Sequence, residues 1–422
     1  MDTATLLERR NRYFGRGSAL FYEEPIQIVR GQGALVYDEQ GREYIDMYNN
    51  VPCVGHAHPH VVDAMHRQAG TLNVHSRYLH EDIVRLAERL TELHGDQIES
   101  VVFACSGTEA NDIAMTMARV VTGGSGFICT NAAYHGNSEQ VMQLTYVDTD
   151  QTDNPNIRSI PFPESFRSIV DGSEEDRCEA YLAKVVEALA DFEARGVRVA
   201  GLLVCSLLAN EGLPDIPAGF MARASELVRA AGGVVISDEV QSGYCRSGRW
   251  WGYEVSDFQP DIVVTGKPMG NGLPLSACAA SSDIVSTYRE RTRYFNTFAS
   301  SPLQAATGNA VLDVIENENL GDHAAEVGAY LESQLKQMTA SNPHFAEVRG
   351  HGLFVGLEWV KDKANNEPYR QGAVKVVNAL KDKGFLTSNA GAFSNVVKIR
   401  PPLVFQKSHA DAFLTAFEEV IS

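Results

Sequence analysis

The chain has 422 residues, of which 44% are hydrophobic, and a formal net charge of −18. That length suits two or three domains around a large core. The acidic balance argues against nucleic-acid or anionic membrane partners, because both bind basic surfaces. Scattered cysteines without a C-x-x-C pair favour free thiols in a reducing compartment. With no signal pattern at Met1–Ala4 and no apolar run long enough to span a bilayer, we expect a cytoplasmic protein.

The N-terminal part of the chain shows three local patterns. After a polar and aromatic arm, residues 31–47 flank a turn at 38–41 and predict a β-hairpin. The segment Gly55–His60 precedes a helix, with Pro59 near the helix start. Its His-x-His-x-His spacing suits a strand face better than a helix, and no acidic or cysteine cluster accompanies it. The sequence therefore predicts no metal site.

The middle of the chain, from about residue 100 to residue 280, alternates short apolar runs with helical periods. This alternation is typical of a mostly parallel sheet covered by helices on both faces, so we expect an α/β fold. The segment 145–175 is polar and contains prolines, and we expect a surface excursion there. The predicted strands are 101–104, 126–129, 201–205, 233–238 and 262–264.

Lys267 follows the predicted strand 262–264 almost directly, in a turn of Gly, Pro and Asn. An exposed loop lysine is one interpretation. Alternatively, desolvation at the strand end lowers its pKa and frees an amine that can form a Schiff base. Asp238 ends the preceding strand, 267 − 238 = 29 residues earlier, which allows one crossover between neighbouring parallel strands. Both groups would then lie at the ligand-binding edge of the sheet, where a lysine and a carboxylate serve pyridoxal phosphate (PLP) chemistry.

A second pattern follows the predicted strand 101–104. Ser106, Gly107 and Thr108 stand where a helix begins, and free N–H groups and the positive end of the helix dipole can bind a phosphate there. An ordinary N-cap explains Ser106 and Thr108 equally well. Tyr134 lies just past the strand 126–129, where its ring would either cover a flat ligand or pack in the core.

Near residue 320 the regular alternation of strands and helices gives way to a different pattern of helices and glycine-containing strands. This pattern predicts an α+β domain at the C-terminal end, which the N-terminal arm joins. We therefore expect three segments along the chain. Residues 1–55 form the arm and part of a small domain, 56–315 the large cofactor-binding domain, and 316–422 the C-terminal small domain.

Several stretches occur in a characteristic order over nearly the whole chain: Gly55–Pro59, Ser106–Asn111, Tyr134–Gly136, Ser237–Gly243, Gly266–Lys267, Asn296–Phe298 and Arg400–Leu403. Together they resemble the class III aminotransferases, PLP-dependent transferases of fold type I. That resemblance implies a large domain with a mostly parallel sheet and a smaller α+β domain built from both termini. It also implies a homodimer whose active sites lie at the subunit interface.

The resemblance also implies roles for individual residues. Lys267 would hold the cofactor and move the proton between substrate carbon and cofactor, and Asp238 would pair with the pyridine nitrogen. Gln241 would bond the ring hydroxyl, Tyr134 would stack on the ring, and Thr297 would reach the phosphate of the neighbouring subunit. The implied cofactor-binding set is Ser106, Gly107, Thr108, Tyr134, His135, Asp238, Gln241, Lys267 and Thr297.

The implied substrate residues depart from the family pattern. Many members place an arginine three residues before the Pro-Pro pair, where it clamps a carboxylate in a bidentate fork. Here Lys398, a point charge, holds that place and the arginine is Arg400. Glu211 would substitute for the family's gate glutamate. Lys398, Arg400 and Arg77 indicate a substrate that carries an anion, and surface or structural ion pairs are the alternative.

We expect an aminotransferase that moves an amino group from a small amine or ω-amino acid to a keto acid such as pyruvate or 2-oxoglutarate. The alternative is a PLP-dependent ammonia- or phospho-lyase acting on a phosphorylated, phosphonate or hydroxy amino compound. Residues 28–46, 73–80 and 398–402 resemble the ethanolamine-phosphate and hydroxylysine-phosphate phospho-lyases, with alanine-glyoxylate and ω-amino acid transaminases nearby. A non-enzymatic PLP-binding protein is a third class, and no DNA-binding extension supports it.

Overall fold

The structure, a computed structural model, describes residues 1–147 and 152–422. Strands and helices alternate through most of these ranges. The strands are β1 (Ile28–Gln32), β2 (Leu35–Asp38), β3 (Glu43–Asp46), β4 (Ser100–Ala104), β5 (Gly126–Thr130), β6 (Ile157–Ile160), β7 (Val199–Val204), β8 (Val234–Asp238), β9 (Ile262–Thr265), β10 (Ser276–Ala280), β11 (Phe345–His351), β12 (Phe354–Trp359), β13 (Phe385–Leu386), β14 (Ser388–Ala390) and β15 (Val396–Ile399). The helices are α1 (Thr3–Tyr13), α2 (Pro59–Ala69), α3 (Glu81–Glu92), α4 (Gly107–Thr122), α5 (Glu139–Met142), α6 (Glu174–Ala194), α7 (Phe220–Ala230), α8 (Gly252–Val255), α9 (Ser282–Arg291), α10 (Pro302–Asn317), α11 (Leu320–Thr339), α12 (Arg370–Asp382) and α13 (Lys407–Ile421).

The largest sheet runs in the order β4-β10-β9-β8-β7-β5-β6. Strands β6, β5, β7, β8 and β9 are parallel, while β10 is antiparallel to both of its neighbours. Strands β7, β9 and β10 are buried along their whole length, as expected for apolar strands covered on both faces. The expected α/β fold with a mostly parallel sheet is confirmed, and β10 is an antiparallel strand that the sequence did not reveal.

Alternate residues of the central strands pack into two separate cores, because successive side chains of a strand point to opposite faces. Ile236 and Val264 pack on the face covered by α4. Val235 and Val263 pack on the opposite face, in the core that also contains Val228 of α7. The sheet is therefore held on both sides, which fixes the position of its carboxyl edge.

Two smaller sheets lie outside this layer. In the order β1-β2-β3-β13, the short strand β13 pairs parallel with β3, so Phe385 faces Ile45. The other runs β11-β12-β15-β14 with antiparallel neighbours. Strands from both ends of the chain thus share one sheet. The limits 1–55, 56–315 and 316–422 stay predictions.

The segment 145–175 differs in part from the expected surface excursion. Residues 148–151 of it lie outside the described ranges. Ile157–Ile160 forms β6, a buried edge strand beside β5, and the polar sequence around it concealed this strand. Among the helices in the described part of the chain, none is both long and apolar enough to cross a bilayer.

Candidate active site

The carboxyl ends of β8 and β9 open onto a cavity of about 330 Å³. Asp238 is the last residue of β8 and pairs with Val264 of the parallel neighbour β9, and Lys267 follows β9 after one glycine. The crossover predicted between these strands therefore brings both groups to one site. The cavity is lined by Val51, Cys105, Ser106, Gly107, Thr108, Tyr134, His135, Cys205, Asn210, Asp238, Val240, Gln241, Lys267, Gly272, Leu273, Pro274 and Leu275.

Asp238 is held as a carboxylate by its neighbours. Its Oδ2 lies 2.7 Å from His135 Nδ1 and accepts from Asn111 Nδ2 at 3.0 Å, while its Oδ1 accepts from the Val240 amide at 3.0 Å. Burial acts to raise the pKa of Asp238, but the hydrogen bond and charge of His135, with the Asn111 and Val240 donors, lower it overall. A buried carboxylate held in this way can keep a proton on a basic ring nitrogen in the cavity.

The surroundings of Lys267 favour the neutral form of its side chain, whereas those of Asp238 favour the charged form. Burial is the main cause that lowers its pKa, and the Arg400 guanidinium adds to the effect, while Asp238 opposes it. Within the described residues no side chain hydrogen-bonds the Lys267 amine, so the amine is free to react. The pKa shift favours the neutral, nucleophilic form.

The start of α4 forms one end of the cavity. Ser106 is the N-cap of this 16-residue helix, and its hydroxyl accepts from the Glu109 amide at 3.2 Å. The amides of Gly107 and Thr108 occupy the first helical turn and have no intrahelical acceptor. A Cβ on Gly107 would lie 2.9 Å from Val240, so glycine permits the close approach of helix and strand end. Both explanations of the Ser-Gly-Thr pattern, N-cap and anion site, are compatible with this geometry.

Tyr134 and Gln241 lie on the cavity wall and are joined through Asn210. Asn210 Nδ2 donates to the Tyr134 carbonyl at 3.2 Å, and Asn210 Oδ1 accepts from Gln241 Nε2 at 3.1 Å. This bridge connects the loop after β7 with the segments after β5 and β8, so these wall residues hold one another in place.

The structure does not bring the predicted substrate residues Lys398, Arg400 and Glu211 onto the cavity wall. Lys398 and Arg400 lie behind Gln241, and both bond its Oε1. Glu211 is buried, accepts from Thr130 Oγ1 at 2.5 Å, and has a pKa raised mainly by burial. Lys398 of β15 is held against the loop after β7 by a hydrogen bond from its Nζ to the Ala209 carbonyl at 2.6 Å.

Two predicted residues, Arg77 and Thr297, lie outside the cavity on an exposed surface. The Arg77 guanidinium stacks 4.2 Å from the ring centroid of Phe295, two residues before Thr297. Thr297 itself is exposed. Neither side chain lines the cavity of its own chain.

The three histidines of the His-x-His-x-His segment each contact a different carboxylate. In the described ranges, no group of three or more His, Cys, Asp or Glu side chains is arranged to hold a metal ion. The contacts are His56–Asp46 at 2.7 Å, His58–Glu318 at 3.1 Å and His60–Asp313 at 3.1 Å.

The residues on the wall fit PLP. A lysine amine, a hydrogen-bonded carboxylate and a partly exposed tyrosine ring surround the cavity, and a helix start with free amides closes one end. Two buried polar atoms beside Asp238, Asn111 Oδ1 and His135 Nε2, have no partner within the described residues. Such a set suits a flat, phosphorylated pyridine aldehyde.

Asn111 and Asn210 are site residues that the sequence analysis missed. Asn111 lies four residues after Gly107, on the same helix face, and that spacing was a usable signal. Asn210 had no such signal, since its loop is shaped by residues with positive φ, Leu208 (47°) and Leu213 (58°). Only the folded loop shows that its side chain reaches Tyr134.

The comparisons with known proteins cover nearly the whole chain. The family model described as aminotransferase class-III matches residues 20–421. An alanine–glyoxylate aminotransferase 2-like protein of Drosophila melanogaster is 36% identical in an alignment that covers 99% of this chain and 86% of that protein. An ethanolamine-phosphate phospho-lyase homolog 1 of Caenorhabditis elegans is 34% identical, covering 99% and 93%. A phospholyase from Arthrobacter, solved in complex with phosphoethanolamine, matches with a TM-score of 0.95 and 36% identity over 99% of both chains.

Proposed function

The chain belongs to the class-III aminotransferase family, and from that premise we propose that it transfers an amino group from a small amine or ω-amino acid to a keto acid such as pyruvate or 2-oxoglutarate. The family is PLP-dependent, and we propose PLP as the cofactor of this chain. The observation that carries the proposal is the pairing of Lys267 and Asp238 at the ends of adjacent parallel strands, on one cavity.

Bound PLP would supply an electron sink that acidifies the carbon next to the substrate nitrogen. Lys267 Nζ accepts the proton from that carbon, because its lowered pKa leaves the amine neutral more of the time. Asp238 would hold a proton at the ring nitrogen, and the contacts with His135 and Asn111 keep the Asp238 carboxylate oriented. Tyr134 would cover the ring, and Gly107 and Thr108 would donate their free amides to the phosphate.

A lyase is the second candidate function. The similarity to the Arthrobacter phospholyase, with 36% identity and a TM-score of 0.95, favours it. Proton removal by Lys267 is common to both reactions. They separate afterwards, since reprotonation leads to transamination and loss of a neighbouring substituent leads to elimination.

A product assay separates the two reactions. The purified, PLP-loaded protein is given a panel of amines that includes phosphoethanolamine, with and without pyruvate, and alanine, ammonia and phosphate are measured together. The Lys267→Ala variant, treated identically, reports reactions of free PLP. We expect alanine to form only with pyruvate and only with the unaltered protein.

Ammonia formed without any keto acid would replace the proposal by the lyase function, and phosphate released with it would identify a phospho-lyase. If neither protein forms any of these products with any amine, the proposed transamination fails.

We also propose a homodimer with Thr297 contributing to the partner's site. Large apolar side chains are exposed beside it, with Leu79 100% and Phe298 74% accessible, and such patches mark protein interfaces. Sedimentation analysis would test the dimer, and a monomer at micromolar concentration would contradict it. A cytoplasmic location stays a prediction, which fractionation of the source cells would test.

A further inference from the structure

The orientation of the Gln241 amide is fixed from behind the cavity wall. Its Oε1 accepts from Lys398 Nζ at 3.2 Å and from Arg400 Nη1, and its Nε2 donates to Asn210 Oδ1 at 3.1 Å. A carbonyl oxygen has two lone pairs, and both are used here. Reversing the amide would turn an NH₂ group towards these two donors, so that the Lys398 and Arg400 N–H groups that now bond Oε1 would lose this acceptor.

Burial and a second hydrogen bond hold the Lys398 side chain in this arrangement. Its side chain is 2% exposed, its Nζ also donates to the Ala209 carbonyl at 2.6 Å, and the Phe354 ring centroid lies 5.2 Å away. Among the ion pairs of residues 1–147 and 152–422, none involves Lys398 or Arg400. Burial, followed by the nearby Arg400 charge, lowers the pKa of Lys398 well below its ordinary value. Two of its three possible N–H donors are therefore used inside the protein, and the amine does not reach the cavity.

The consequence appears on the cavity side of Gln241. Because Oε1 is turned towards the cations, the side chain offers the cavity its second Nε2 hydrogen, which Asn210 does not use. A ligand atom at this place must be a hydrogen-bond acceptor. The oxygen of a pyridine-ring hydroxyl in its ionised form meets this requirement.

We propose that Lys398 is a positioning residue that acts through Gln241, fixing an N–H donor towards the cofactor ring, and that it is not the anchor of the substrate anion. The inference rests on the proposed function for the identity of the ring. It replaces the substrate role that family resemblance implies for this position with a role in cofactor binding.

A double-mutant cycle on PLP affinity tests the proposal. Equilibrium dialysis gives the dissociation constant for the unaltered protein, Lys398→Met, Gln241→Leu and the double variant. We expect each single change to weaken PLP binding by ~10-fold, as loss of a charge-assisted contact does. The double variant should be no more than ~3-fold weaker than Gln241→Leu, because residues that act through one contact are not additive.

Three controls keep the outcome decisive. Lys398→Arg retains a donor and should restore PLP affinity, while Lys375→Met, on the exposed side of α12, should change nothing. Thermal unfolding of the apo proteins checks folding, and Lys398→Gln, which can still donate to Ala209, replaces the methionine variant if that one does not fold.

Additive effects in the cycle would overturn the proposal. So would unchanged PLP affinity together with a KM for the keto acid raised ~10-fold or more, since that result describes a substrate anchor. Failure of the unaltered protein to bind PLP would instead refute the proposed function itself.

Discussion

Two consecutive acidic residues at the end of β8, Asp238 and Glu239, point to opposite sides and differ in their hydrogen-bond partners. Asp238 faces the cavity and is paired with His135, and its pKa is lowered overall. Glu239 faces away, is fully buried, and accepts from the neutral donors Ser237 Oγ, Ser242 Oγ, Gly252 N and Tyr253 N at 2.7–3.1 Å. Burial raises the pKa of Glu239, which those donors only partly oppose.

The end of β8 therefore places one acidic residue on the cavity and uses the next one to stabilise the fold. The His135 ring, the Asn111 amide and the Val240 N–H favour the ionised form of Asp238, whose side chain lines the cavity. Glu239 uses both oxygens within the protein and ties the turn after β8 to the start of α8. Changes on the cavity side should therefore affect turnover, and changes on the rear side should affect stability.

The largest expected effect is on the cavity side, at Lys267. Lys267→Ala removes both nucleophile and base, so we expect kcat to fall by a factor of about 10³–10⁴. Turnover and the visible absorbance of bound PLP are the measurements. An unfolding midpoint like that of the unaltered protein would show that the fold is intact, and turnover within ~10-fold of normal would contradict the assigned role.

Asp238→Asn should have the next largest effect. The amide keeps the shape but cannot hold a proton on the ring nitrogen, so kcat should fall by about 10²–10³. Steady-state kinetics measure it, with PLP content determined on the same samples. A near-normal kcat in a fully PLP-loaded Asp238→Asn enzyme would contradict the expectation that Asp238, unlike Glu239, matters for turnover.

Glu164 provides a third kind of buried carboxylate and a pH test. Burial is the main cause that raises the pKa of Glu164 from 4.5 to about 7. The nearby Arg167 and Arg349 oppose this rise only in part, since both form ion pairs with Glu358. A raised folded-state pKa stabilises the protein fully below pH 4.5, and that contribution is lost as pH rises through about 7. The lost stability amounts to about 3 kcal/mol.

Glu164→Gln cannot titrate, so its unfolding free energy should not show this decline. Urea unfolding of both proteins at pH 5, 6, 7 and 8 would measure the difference. Parallel pH profiles would mean that Glu164 titrates normally in the folded state.

The smallest effect is expected behind the strand end. In Glu239→Gln one oxygen becomes an NH₂ group that faces a backbone N–H, at Gly252 or Tyr253, whichever way the amide turns. We expect a loss of about 1–3 kcal/mol in unfolding free energy, with kcat changed less than ~3-fold. Urea midpoints and kinetics at saturating PLP test both parts. A large fall in kcat without a change in the free energy of unfolding would contradict the stabilising role of Glu239.

Local sequence signals were enough to predict the cavity side. Lys267 and Asp238 each follow an apolar strand, and parallel neighbours must place their carboxyl ends at one edge, so two short patterns fixed the site. The start of α4 was predictable for the same reason, since Ser106 caps a helix of regular period.

The positions of the substrate residues could not be predicted in this way. Lys398 and Arg400 reach Gln241 across 157 and 159 residues of sequence, so their contacts depend on the folded chain and not on local sequence. A motif gives the residue type but not the direction of its side chain. Strands β6 and β10 were missed because polar or small residues, Arg158 and Ala277 among them, weaken the apolar pattern.

The antiparallel strand β10 has a consequence for the order in which the protein assembles. In the large sheet β4 pairs only with β10, where Ala104 faces Ser276, 276 − 104 = 172 residues later in the chain. On a ribosome, β4 and the helix start that follows it must wait for this strand before they can join the sheet. Because closing so long a loop is slow, we expect the end of the cavity formed by α4 to assemble late, after β5, β7, β8 and β9 have paired. Nascent chains that end before residue 276 would then carry Lys267 in a folded sheet whose cavity is not yet complete.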